Sequence, residues 1–344
     1  PHLRDGRLEI LGCENEESSV TNAVASWDGA ELEFTCREKG LCVALVRSAQ
    51  EWTEHAHAKA ISTLPVIEII KLGDAPPEPL PSDGQEPLSN VNVLDLTKVI
   101  AGPVCGRTLA SYGANVMRVG AKHLPFIEPL VIDTGLGKKS TFLDLRDPTD
   151  NDKLKLLLRD ADIFVQGYRP GAIAKHGFGP EEVAAKRPGI VYVNLSAYGH
   201  VGPWSSWRGF DSLVQSATGI VHEGMVDAGA DRPLPLPCQA LDHATGYLAA
   251  FGAMIALKRR VEEGGSWMVR VSLAQTGKWF NDLGRVEGLE TKKPTRTEIA
   301  GLLQKHDSPF GIIEHVRPPE TFSETQPYWS SGSVPLGSDE PRWN

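Results

Sequence analysis

The stretch VNVLDLTKVIAGPVCGRTLASYGANVMRV, Val91–Val119, decides the fold. Val91 to Leu96 carries the aliphatic and β-branched residues of a strand covered on both faces. Val104 to Tyr112 is spaced as a helix and ends at Gly113, the residue type that closes helices in the left-handed conformation. Asn115 to Val119 is a second strand. A strand, a helix and a strand in such close succession form a βαβ unit, whose strands lie parallel.

The alternation continues. Thr141–Leu145, Ile163–Gln166 and Ile190–Leu195 are expected strands, with helices at Asp150–Asp160 and Pro180–Lys186. Ala240–Arg260 is apolar almost all round, which marks a buried helix, and its basic end complements the helix dipole. Trp267–Leu273 is a further strand, followed by a helix through Leu283. The expected fold is α/β: a Rossmann-like, mostly parallel sheet with flanking helices, a small N-terminal α+β module and an extended C-terminal tail. The expected divisions are a module over residues 1–72, a Pro-rich linker over 73–89, the main domain over 90–290 and the tail over 291–344. In the module, Ser48-Ala49-Gln50-Glu51 has capping-box spacing, Trp52, Ala56 and Ala60 follow at helical intervals, and Pro65–Ile70 is an expected strand.

Composition limits the function. A chain of 344 residues, 41% hydrophobic and 23% charged, fits a globular protein with room for two domains. A net charge of -9 argues against phosphate-driven binding to nucleic acid, but a local basic cluster can still hold a small anion. Uninterrupted apolar runs fall short of the ~18 residues that span a bilayer, so no membrane partner is expected. Five scattered cysteines, without a CxxC pair, point to a reducing compartment; the expected location is the cytoplasm, with an organelle matrix as the alternative. Residue 1 is proline, as in a fragment or a processed form.

Common chemical motifs are missing. No GxGxxG follows the first strand, and Gly137-Lys138-Lys139-Ser140 fails as a phosphate loop because Ile132 stands where its first glycine belongs. His222-Glu223 has Val226 where a second zinc ligand would stand, and no metal site is expected. No GxSxG elbow occurs. One carboxylate stands out. Asp242 falls in the opening turn of the long apolar helix, where free N–H groups and the dipole would hold it ionised. It is either a plain helix-stabilising aspartate or a reactive carboxylate positioned by a rigid element.

The run Val93–Val119 resembles the opening motif of the family III CoA-transferases, also called the CaiB/BaiF type. GKKSTFLDLR (Gly137–Arg146), ADIFVQGYRPGAIAKHGFG (Ala161–Gly179), IVYVNLSAYGHVGPW (Ile190–Trp204) and ALDHATGYLAAFGAMIAL (Ala240–Leu257) resemble later motifs of that family, in its order. The resemblance implies an acyl-CoA:carboxylate CoA-transferase, in which an aspartate attacks the acyl-CoA thioester and forms a mixed anhydride. The nucleophile would fall on Asp242. Coenzyme A contacts would fall on Val99, Ala101, Gln166, Gly167, Tyr168, Lys175 and Tyr198, with Arg118, Lys138, Lys139 and Arg169 supplying charge for its phosphates. The implied partners are an acyl-CoA, a small carboxylic acid and a second copy of the chain in an interlocked homodimer. Ile100 replaces the glutamine of formyl-CoA transferases, which argues against oxalate or formate. Phe210 replaces a histidine of the family's racemases, which argues against racemisation. Neither the family's central insertion nor its glycine-rich loop is evident. The alternatives are an acyl-CoA racemase or lyase, or a CoA-binding or assembly subunit without turnover.

Overall fold

The computed structural model describes residues 2–81, 84–286 and 292–343. The expected boundary between residues 290 and 291, and residues 82 and 83 of the linker, lie outside the described residues. Seven strands form one sheet: β1 (Glu68–Gly73), β2 (Asn92–Leu96), β3 (Asn115–Gly120), β4 (Lys138–Phe142), β5 (Ile163–Gln166), β6 (Val191–Ser196) and β7 (Ser266–Ser272). Their order is β1-β7-β6-β5-β2-β3-β4. The pairs β2–β3, β3–β4, β2–β5 and β5–β6 are parallel, and β1 runs antiparallel to β7. The mixed α/β fold read from the sequence is therefore present. Strand β4 starts three residues earlier than expected.

The chain folds as two compact units. One gathers residues 1–65, 196–242 and 272–282; the other holds 66–195, 243–271 and 283–344. The strand expected of the N-terminal module is β1, and it adds an antiparallel edge to the main sheet.

In the sheet unit, Leu94, Leu96, Met117, Phe164 and Tyr192 face Leu154, Leu158 and Phe178 in one core. Helix Ala101–Ser111 follows β2 and ends at Tyr112, with Gly113 at φ +94° as the sequence predicts. Helix Ala240–Glu263 is long and apolar enough to cross a membrane by length and composition. Its small residues instead press on protein: a Cβ on Gly246 would lie 2.6 Å from the Ala101 carbonyl, and one on Gly252 would lie 2.6 Å from Val269. The tail is not wholly extended. It contains the hairpin of β8 (Leu303–Ser308) and β9 (Gly311–Val316), then runs along the free side of β4. There Gly137 N–H donates to the Ser331 carbonyl, Asp339 N–H donates to the Ser140 carbonyl, and Ser140 N–H donates to the Asp339 carboxylate. Trp329 Nε1 donates to the Arg107 carbonyl and Trp343 Nε1 to the Leu157 carbonyl, pinning the strap at both ends.

The helical unit has the capping box expected at Ser48 and Glu51. The helix read through Trp52, Ala56 and Ala60 is broken in two at His55, whose ψ of 138° is extended. The imidazole of His55 replaces the lost bond by accepting from His57 N–H at 3.1 Å, and it stacks on Trp52. His57 is fully buried. Its Nδ1 accepts from Trp204 N–H at 3.1 Å and its Nε2 lies 2.7 Å from the Tyr198 carbonyl, which fixes the neutral tautomer with the proton on Nε2.

Candidate functional site

In the sheet unit, the chain leaves β2 for β3 and β4 on one side, then crosses to β5 and β6 on the other. Such a reversal opens a crevice at the carboxyl ends of β2 and β5, where open α/β sheets bind ligands. Leu96 at the end of β2 is in register with Gln166 at the end of β5, and Gln166 with Asn194 of β6. The turn after β2 is strained. Val99 has φ +72°, and a β-branched residue there costs on the order of 1–2 kcal/mol. Ala101, the first residue of the next helix, is buried. Gln166 donates to Asn194 Oδ1 and accepts from Tyr168 N–H at 3.0 Å, so β5 and β6 together hold the Gly167–Tyr168 loop. Gly167 is exposed, and a Cβ there would make only ordinary contacts. The Tyr168 ring lies 5.8 Å from the Lys98 ammonium, and burial pushes its phenol up to about 12.

Arg118 stands in register with Asp95 in the neighbouring strand and is 6% exposed. Burial lowers its pKa, while Asp95 and Tyr168 oppose that shift. Its Nη1 has no hydrogen-bond partner among the described residues. A buried guanidinium with one orphaned donor fits an anionic oxygen of a phosphate ester.

Five expected contacts, Val99, Ala101, Gln166, Gly167 and Tyr168, therefore gather at the ends of adjacent strands, with Arg118 one strand away. Arg169 follows Tyr168 directly and is exposed, as is Lys175 in the turn Ala174–His176. Lys138 departs from expectation. Its ammonium is buried and bonds Asp95 Oδ2 and the Pro103 carbonyl, each at 2.7 Å, so it neutralises an internal aspartate. Lys139 sits at the opening of β4 and lines a cavity of about 170 Å³ at the amino ends of β3 and β4, with Asn115, Ser331, Arg342 and Trp343. Those are the strand ends opposite the crevice.

In the helical unit, Tyr198 also departs from expectation. It is 1% exposed, its hydroxyl accepts from Arg37 Nη2 at 3.1 Å, and Trp204 meets it edge-on. The aromatic packing leaves no face of Tyr198 open to a ligand.

Asp242 occupies the first turn of helix Ala240–Glu263 and is 7% exposed. The expectation that the helix start keeps it ionised is reversed. Burial and the Asp211 carboxylate push its pKa up to about 7. Burial is the larger cause, and the second carboxylate is close because the N–H of Asp242 donates to Asp211 Oδ2 at 2.9 Å. Asp211 opens helix Asp211–Ala217 and is 1% exposed; its Oδ1 accepts from Gln215 Nε2. Gln215 in turn accepts from Leu236 N–H at 2.9 Å. Sequence reading missed Gln215 and Asn194. The i,i+4 spacing of Asp211 and Gln215 on one helix face was the available signal for the first. Only strand register reveals the second.

Residues 88–299 match the family model of CoA-transferase family III. This chain belongs to that family. It is 31% identical to the acetyl-coenzyme A transferase nodX of Hypoxylon pulicicidum over 84% of this chain and 50% of that protein. It is 33% identical to an acyl-CoA transferase of Gibberella moniliformis over 74% of this chain and 47% of that protein. The chain thus spans about half the length of the curated relatives it matches. In fold it is similar to the solved structure of Rv3272 from Mycobacterium tuberculosis, with a TM-score of 0.63, 20% identity and coverage of 74% of this chain and 98% of that one.

Proposed function

We propose that this family III chain transfers CoA between carboxylic acids, with Asp242 as the nucleophile. The observation that carries the reading is a carboxyl at a helix start, shut away from water and beside a second carboxylate, with burial first and that carboxylate second raising its pKa to about 7. A carboxylate of raised basicity is a stronger nucleophile than an ordinary one. Its oxygen attacks the thioester carbonyl carbon, the C–S bond breaks, and CoA departs as thiolate from a mixed anhydride. The thiolate then attacks the Asp242 carbonyl carbon and releases the donor acid as carboxylate. The acceptor carboxylate displaces the thiolate from that aspartyl thioester, forming a second anhydride. Attack of the thiolate on the acceptor acyl carbon returns Asp242 as carboxylate and releases the new acyl-CoA. Each step exchanges one acyl bond for another, and no water is consumed.

For CoA itself, the strand-end cluster of Val99, Ala101, Gln166, Gly167 and Tyr168 supports binding at the crevice, with Arg118 Nη1 as the buried donor. Arg169 and Lys175 are the exposed charges nearest in sequence. The relatives' names support an acyl-CoA as donor. The resemblance supports a small carboxylic acid as acceptor and a homodimer as the working form. The test is incubation with a panel of acyl-CoAs, followed by peptide mass spectrometry. An acyl or CoA adduct on Asp242 is expected. Exchange of α-hydrogens without an adduct would assign a racemase instead, and neither result would leave a binding subunit. Phe210, which cannot carry a proton, is expected to tolerate Phe210→Ala with the chemistry intact.

A further inference from the structure

The helix start that carries Asp242 is capped from outside by another acid. Asp211 Oδ2 accepts the backbone N–H of Asp242 itself at 2.9 Å. That N–H belongs to the opening turn, where donors are free to stabilise a nearby negative charge. Asp211 is in turn held from its other side, since Gln215 Nε2 donates to its Oδ1. Gln215 does not float. Its Oε1 accepts from Leu236 N–H, and its Nε2 also reaches the Cys238 carbonyl at 3.4 Å. Three pieces of chain, the helix Asp211–Ala217, the segment Leu236–Cys238 and the helix start at Asp242, are therefore tied through the buried Asp211–Gln215 pair.

We infer that Asp211, locked by Gln215, is a positioning residue that keeps the Asp242 carboxylate reactive by holding a second carboxylate against the start of its helix. The inference rests on Asp242 being the reacting carboxylate. Asp211 does not touch the thioester in this scheme. It works by holding a fixed negative charge against the nucleophile and by fixing where the helix begins. The Asp211 carboxylate raises the Asp242 pKa in the same direction as burial. Asp211→Asn removes the charge and keeps a single accepting oxygen, enough for one of the two donors, Gln215 Nε2 or the Asp242 N–H.

The test is direct titration of Asp242 by carbon-13 NMR in the full chain, labelled at aspartate, with Asp242→Asn assigning the resonance. In the unaltered chain the midpoint is expected near neutrality. In Asp211→Asn it is expected to fall by at least one pH unit, and the acidic limb of adduct formation should move with it. Gln215→Leu retains the charge but releases its Oδ1 tether, so Asp211 can swing from the backbone donor and the midpoint should also fall. That second variant keeps the question answerable if Asp211→Asn does not fold. Midpoints unchanged within about 0.3 units in whichever variants fold would overturn the inference. A shifted midpoint without any adduct would leave the hold of Asp211 on the Asp242 carboxyl standing and remove the transferase reading. An adduct with an unshifted midpoint would do the reverse.

Discussion

At Asp242 the chemistry and the stability of the chain pull in opposite directions. Its folded pKa is near 7, above the ordinary 3.8, so the native state holds this proton more tightly than the unfolded state does. The stabilisation from that proton is complete below the unfolded pKa and is lost as pH rises through about 7. Asp242→Asn removes the ionisation altogether. It should abolish CoA exchange, yet at pH 8 it should make the chain more stable by on the order of 2–4 kcal/mol, with the gap closing toward pH 4. Urea melts of both chains at three pH values measure this. Equal stability at pH 8 would mean that Asp242 ionises without penalty. Val99 is a second residue held against its preference. Val99→Gly should raise stability by about 1 kcal/mol through relief of the left-handed backbone. Asp242 was legible because an acid in an otherwise apolar helix start is conspicuous. The direction of its pKa was not legible, because it is set first by burial in the folded chain and then by a carboxylate 31 positions away.

Among the elements, helix Ala101–Ser111 depends on closeness to the sheet. A Cβ on Gly106 would fall 2.7 Å from Asp95 Oδ2 and 2.9 Å from Lys138 Nζ. Gly106→Ala must therefore part a buried ion pair or lift the helix. A loss of about 2–4 kcal/mol in chemical denaturation is expected, against the fraction of a kcal/mol that alanine normally gains in a helix. The helical unit contains its own acid-sensitive point at His57. Burial lowers its pKa below 6.5, so its contribution to stability is present above that value and is lost as pH falls. Hydrogen exchange between pH 7.5 and 5 should show amides of Ala56–Ile61 opening before those of β2 and β5. Period and turn chemistry made β2, β3, β5, β6 and helix Pro180–Lys186 readable within a residue or two. The break at His55 and the inward turn of Lys138 were not readable, since each is decided by partners far along the chain: Tyr198 and Trp204 near His57, Asp95 under Lys138.

Over the whole molecule, the helical unit closes only when three separated stretches meet. Residues 1–72 alone should show weak near-ultraviolet circular dichroism, because Arg37, Arg47 and His57 would lack Tyr198, Ser216 and Trp204. A well-folded isolated fragment would contradict this. The sheet unit places a different demand on its tail. Strand β4 is an edge, and the strap bonds it at Ser140 through Asp339 and just before it at Gly137 through Ser331. Bare edges of this kind recruit strands from other chains. The strap is therefore a replaceable part. A chain stopped after Arg317 and a synthetic peptide covering residues 326–343 would be two pieces of one folded object, and the affinity between them would measure directly what an uncovered strand costs.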